Sequence, residues 1–393
     1  MLGPVRPTVR DLDTISCVDS AAWDELDHRD SPFLEHGFLA ALEDSHSVGT
    51  AAGWEPHVLV AEVPTEPGRR TRLVGAVVAF VKTHSFGEYI FDWSWADASE
   101  RLGVPYYPKL VVASPATPAS GPRLLLARDL TPAERTAVVD ALVDAVREVA
   151  DRCGCHSIHW LFCTHDEQRW LADRGFWPRA SFQFHWHNSD YDDFDGFLTA
   201  LTSRKRKQIR KERQRATAPL DGVQLVRGTQ LTDDDLRSME SFYRRTTAAY
   251  GGYRYLRPGF FEALRRRAPA RMLFAKAMAQ RQVCAGALFF ETERALYGRY
   301  WGCHQEHEFL HFELAYYVGI EHAIKRQLPR FEAGAQGEHK LLRGFLPTAT
   351  YSAHWVRHPA LGRAVQQFLL HESAVISEQM DRLREAGPFR CKA

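Results

Sequence analysis

The segment GAQGEHKLLRGF, residues 334–345, sets His339, Lys340 and Arg343 among three glycines. Glycine lets the backbone come close to a ligand, and the two cations suit a phosphate or a developing oxyanion. Lys340 is therefore the leading catalytic candidate, with His339 and Arg343 as substrate contacts. Lys109, in YYPKL, offers a similar cation earlier in the chain. Carboxylates serve the opposite need. Asp92 and Asp97 lie in EYIFDWSWAD, where Phe91, Trp93 and Trp95 would wall a carboxyl group, raise its pKa and let it bind or deprotonate an amine. Trp93 and Trp95 would then touch the substrate. A rival set is His311 and Glu313 with Tyr316 and Tyr317, all within one helical stretch.

A third feature concerns polyanions. Between Arg204 and Arg215, eight of twelve residues are Lys or Arg, broken by one acid, Glu212, and one aliphatic, Ile209. The whole chain carries 50 basic against 49 acidic residues, so this run makes a local positive field that the rest does not share. Phe194, Phe197, Leu198 and Leu201 precede it at helical spacing and Ile209 continues the stripe, which predicts a helix anchored along one face. Arg206, Arg210 and Arg213 then share a side, as do Lys207 and Lys211. Crowding like charges costs free energy, which phosphate oxygens offset through charge-assisted hydrogen bonds. Arg206, Arg210 and Arg213 are the phosphate-binding candidates.

Two apparent metal motifs carry less weight. Cys153, Cys155 and Cys163 cluster with His156 and His159, but C-x-C lacks the two-residue gap of zinc knuckles. His307-Glu308-Phe309-Leu310-His311 spells a metalloprotease motif, yet it falls where a strand should turn into a helix, so His307 is expected to precede the helix. No metal is expected. Seven cysteines without framework spacing fit reduced thiols.

The elements that must carry these residues form a repeat. An apolar strand at 73–80 and an aromatic strand at 88–97 are followed by an amphipathic helix at 131–152, with Thr131 as N-cap and Glu134 closing a capping box, and by a strand at 157–163. The second half repeats the order with strands at 282–290 and 295–302, a helix at 309–327 and a strand at 330–333. The first copy carries an insertion at 101–126 around a possible strand at 109–113. A length of 393 residues implies two or three domains. The expected boundaries are 1–188, a basic helical connector at 189–220, and 221–393. No apolar stretch is long enough for a membrane span, and MLGPVRPTVRDLD lacks the apolar core of a secretory signal, so a cytoplasmic protein is expected.

Hairpin, helix, strand, repeated, resembles two tandem copies of the GNAT acyltransferase fold, an α/β class with mixed sheets flanked by helices. The segments at 31–42, 82–98, 106–110, 202–213, 309–324 and 330–355 are similar to the FemAB-like relatives of the Fem peptidoglycan aminoacyltransferases. In that family a basic helix lies between the domains and a Phe-Lys element lies near the catalytic centre. Arg206 and Ile209 match the helix, and Lys340 matches the lysine, with His339 in place of the Phe. The resemblance implies acyl transfer to an amine.

Such a transfer needs a neutral amine, a polarised carbonyl and both reactants held in place. CoA-using GNATs cradle the pyrophosphate on a glycine-rich loop before a helix. SGPRLLLARD and GCHQEHEF stand at those positions instead. Aminoacyl-tRNA is therefore the expected donor, a co-substrate and not a bound cofactor, with a small-molecule amine or phosphate-bearing cell-wall precursor as acceptor. An acyl-CoA N-acyltransferase and a non-catalytic peptidoglycan or RNA recognition protein are the alternatives. Oligomeric state is left open.

Overall fold

The computed structural model describes residues 6–390 apart from 67–69, 250, 252 and 336. The chain forms two compact units, Met1–Ser181 with Thr350–Ile376, and Phe182–Ala349 with Ser377–Ala393. The basic segment expected as a connector at 189–220 thus belongs to the second unit. Residues 350–376, expected in a C-terminal domain, belong to the first.

In the first unit the strands Thr8–Leu12, Glu55–Glu66, Arg70–Lys82 and Lys109–Val112 pair antiparallel in that order. Lys109–Val112 pairs parallel with Ser157–Cys163, which pairs antiparallel with residues 351–356. The crossover between the parallel strands contains the helix Pro132–Arg152, capped by Thr131 with both halves of the capping box formed. Val138, Val139, Leu142, Val143 and Val146 are buried on its inner stripe, each contributing about 1.5–3 kcal/mol over exposure to water. A Cβ at Gly75 would stand 2.6 Å from the Val138 side chain, so the strand–helix approach requires glycine there.

The second unit repeats this plan. Gly222–Arg227, Met272–Ala279, Gln282–Glu291 and Ala295–Cys303 pair antiparallel in order. Ala295–Cys303 pairs parallel with Arg330–Glu332, which pairs antiparallel with residues 185–187. In each unit the sixth strand continues from a segment begun in the other: Trp177–His187 runs from the first into the second, and Leu346–Val356 from the second into the first.

Three expectations need correction. The aromatic strand at 88–97 is absent; Tyr89 has φ +60° and the helix Trp93–Arg101 starts after Asp92. Phe91, Trp93 and Trp95 imitate strand alternation, but the buried positions are Trp95 and Ser99, one helical turn apart. The strand that pairs there is Lys109–Val112. Next, the apolar stripe from Phe194 to Ile209 lies on two helices, Phe194–Ala200 and Ser203–Thr217, because Leu201 is extended at φ −87°, ψ 159°. Phe197, Leu198, Leu201 and Ile209 still enter one core. Finally, the helix expected at 309–327 consists of Leu310–Phe312, a π-helical turn Glu313–Tyr317 and Val318–Lys325. Among the described residues no helix is long and apolar enough to cross a membrane.

Candidate active site

In the second unit, Ala295–Cys303 and Arg330–Glu332 pair only where residues 295–297 face 330–332. Past that point the chain after Glu332 turns away through Gly334 at φ +81° and Gly337 at φ +112°, enters the 3-10 helix Glu338–Arg343 and leaves through Gly344 at φ +90°. These are left-handed conformations that strain any other residue. The turn folds Lys340 back so that its Nζ donates to the Gly334 carbonyl at 2.7 Å. Lys340 is 2% exposed. Burial, reinforced by Arg299, lowers its pKa to about 7.

Lys340 lines a cavity of about 340 Å³ together with Arg299, Trp301, His311, Tyr316 and His339. The lining also includes Leu288 and Phe289, where a β-bulge interrupts the register with Ala295–Cys303 and re-aims the side chains. The His311 ring lies 5.0 Å from Trp301 and 5.3 Å from Tyr316. The Tyr316 hydroxyl and His339 Nε2 are 2.8 Å apart. Burial, then His339, Lys340 and Arg343, lowers the His311 pKa to about 4, so this imidazole is neutral at pH 7 and a weak base. The helix starts at Leu310, so His307 and His311 share no helical face.

The other candidates of this unit are engaged with one another. Arg213 donates to both Glu313 oxygens at 2.8 and 3.0 Å and to Glu321 at 2.8 Å, and stacks on Phe194. Burial raises the Glu313 pKa, and Arg213 opposes it. Arg343 donates to Glu212 at 3.0 Å and lies 3.3 Å from the centre of the Phe312 ring. Glu212, the lone acid of the basic run, is 3% exposed and also accepts from the Tyr317 hydroxyl. Arg210 pairs with Asp195 at 2.8 Å. Arg206 differs: its Nε and Nη2 are buried and donate to no acceptor. Arg204, Lys207 and Lys211 are exposed on another side of the helix.

The first unit holds a second buried charge cluster. Lys109 Nζ donates to Asp92 at 2.5 Å, Glu88 at 2.8 Å and Ser85 at 2.7 Å, and the Tyr106 hydroxyl donates to Asp92 at 2.6 Å. Lys82 lies 3.7 Å from Glu88 and 3.5 Å from the centre of the Trp54 ring. The expected raised pKa of Asp92 is corrected here. Burial raises it, but Lys109 and the hydrogen bond from Tyr106 outweigh burial and hold it below the usual range. Glu88, next to it, is raised to about 7 by burial despite Lys109. One oxygen of each, Glu88 Oε1 and Asp92 Oδ1, accepts no hydrogen bond. Trp93 is 42% exposed beside Phe86, whereas Trp95 is a core residue packed on His354 and Arg179, closed to a ligand.

Lys82, Glu88, Glu212, Arg299 and Trp301 escape the sequence reading. Lys82 closes an apolar strand and Glu212 interrupts a basic run, so each reads locally as a solvated charge. Cys155 and Cys163 are buried free thiols and His159 pairs with His354 through Nδ1 at 2.8 Å. Among the described residues, no group of three His, Cys, Asp or Glu is placed to hold a metal ion.

The crystal structure of FemX matches with a TM-score of 0.50 at 12% identity, covering 92% of this chain and 99% of that one, which shows a shared fold. L-PGS from Bacillus licheniformis (TM-score 0.45, 11% identity, 84% and 95% covered) and a tandem GNAT protein from the clavulanic acid biosynthesis pathway (0.43, 11%, 90% and 99%) are also similar. No curated protein sequence matches. The FemAB-like family model, described as peptidoglycan biosynthesis/recognition, matches residues 14–391, and the chain belongs to that family.

Proposed function

We propose that this chain is an N-acyltransferase that moves an aminoacyl group from aminoacyl-tRNA to an amine of a small molecule or cell-wall precursor. Lys340 carries the proposal: a cation 2% exposed, held by one carbonyl, in the wall of a cavity. In the reaction the amine nitrogen bonds to the ester carbonyl carbon, and the carbonyl oxygen becomes an oxyanion beside the Lys340 ammonium. The ribose oxygen then leaves, taking up the proton that the amine gives away. An oxyanion restores charge balance to a cation that burial has made costly, so Lys340 binds this state better than the neutral ester.

Two observations favour tRNA over CoA as donor. A CoA pyrophosphate would gather on the N-terminus of the helix after the fourth strand of a unit. At Pro132–Arg152 that end carries a proline and the Glu134 carboxylate, which accepts from Thr131. At Leu310–Phe312, Glu306 and Glu308 stand just before the first turn. Phosphates would meet like charge at both. On the basic helix, by contrast, Arg204, Lys207 and Lys211 are exposed for contact with an RNA backbone. Arg206 adds two buried donors without an acceptor of their own.

The test incubates the protein with radiolabelled aminoacyl-tRNAs and a panel of amines, in parallel with a thiol-release assay on acyl-CoA. Labelled amide is expected from the first and no thiol from the second. Thiol release would overturn the choice of donor. Product formation by Lys340→Met at the wild-type rate would remove Lys340 from the reaction.

A further inference from the structure

The walls of the second-unit cavity narrow the donor further. At about 340 Å³ it is near the small end of ligand pockets, the size of one aminoacyl group and not of an extended chain. Its lining is rich in aromatic rings, among them Trp301, His311 and Tyr316. Their geometry is locked, since the His311 ring sits between the other two at 5.0 and 5.3 Å and Tyr316 is tied to His339 by a 2.8 Å hydrogen bond. Between them the lining includes small residues, among them Gly298, Ala315 and Ala333. Among the described residues the charges lining the cavity are positive, Arg299 and Lys340. A cationic side chain is repelled by them, and a glycyl or alanyl group leaves aromatic surface without contact.

We infer that the cavity selects an aminoacyl group with an aromatic or branched apolar side chain, and that Ala315 and Gly298 set the space it receives. The inference rests on the transfer proposed above. Flat or branched carbon groups fill a rigid aromatic slot with dispersion contacts that small groups cannot make. Ala315 sits in the π-helical turn next to Tyr316, where a larger side chain would fill the slot. Leucine is nearly as good a helix former as alanine. At Gly298 an added Cβ would meet the lining residues Phe289 at 3.5 Å and Ala333 at 3.6 Å, and the core ring of Phe331 at 3.3 Å, so alanine there crowds that part of the wall.

The experiment measures Kd by calorimetry for non-hydrolysable 3′-aminoacylamino-3′-deoxyadenosines carrying phenylalanyl, leucyl, alanyl, glycyl and lysyl groups. A missing methylene in an apolar pocket changes discrimination about 10–200-fold, so phenylalanyl and leucyl analogues are expected to bind at least about 10-fold tighter than glycyl and lysyl ones. Ala315→Leu should remove that preference and Gly298→Ala should reduce it partly, with a thermal midpoint equal to wild type showing that each variant is folded. Equal Kd values for glycyl and phenylalanyl analogues, or a preference that survives Ala315→Leu, overturn the inference and leave the transferase proposal standing. Binding by none of the analogues overturns both.

Discussion

Lys109 and Lys340 are both sealed from water, at 0% and 2% exposure, yet burial acts on them with opposite results. Burial alone lowers both pKa values. Around Lys109, Glu88 and Asp92 more than offset that cost and hold the ammonium above its ordinary value. Around Lys340 no carboxylate does so, and its pKa falls to about 7. The first unit surrounds its lysine with two carboxylates, whereas in the second the Lys340 ammonium rests on the Gly334 carbonyl. On the proposed function, the lysine without a carboxylate partner is the one that acts, and the lysine held by two is part of the framework.

Four outcomes would break or sharpen that contrast. The largest is expected at Lys109→Met, which strands two buried carboxylates and should cost about 3–5 kcal/mol, read as a lower urea midpoint. A stable Lys109→Met protein would erase the distinction. At Lys340→Met the losses should reverse, with acyl transfer down about 100–1,000-fold, as for removal of one oxyanion donor, and thermal stability equal or higher. A common drop in stability for both variants would make Lys340 architectural too.

The third outcome concerns pH. The folded pKa of Lys340, about 7, lies below the unfolded value of 10.5. Between these values the unfolded chain holds a proton that the folded chain has released, so this group makes stability rise with pH over that window and contributes no slope below it. Wild type should therefore gain stability on Lys340→Met from pH 7 upward, while transfer that needs the ammonium declines over the same range. A rate that climbs through pH 7 would assign Lys340 as a base. The smallest effect is expected on the basic helix. Lys207→Ala and Lys211→Ala should each reduce the salt slope of tRNA binding by about one without moving Tm. Unchanged slopes would remove these lysines from the RNA contact.

Much of the frame is legible in the residues. The Thr131–Glu134 capping box, the strand Ser157–Cys163 and the pair around Glu291 depend on local signals, and they stand where those signals put them. The turn that carries Lys340 is legible as well, since three glycines around a lysine announce it. The partners are not. Arg213 and Glu313 are a hundred positions apart, and only the fold shows that a proposed phosphate ligand and a proposed base neutralise each other. The segment around Asp92 misleads because aromatics two apart fit strand alternation as well as a loop that enters a helix.

The crossed strands have a consequence for synthesis. Residues 350–376 complete the first unit, yet they leave the ribosome after residues 182–349 of the second. The first unit must therefore wait, with the edge of Ser157–Cys163 uncovered, until residues 351–356 have been made. A nascent chain stalled before residue 350 should show that edge to proteases and chaperones, and release of the final segment should protect it.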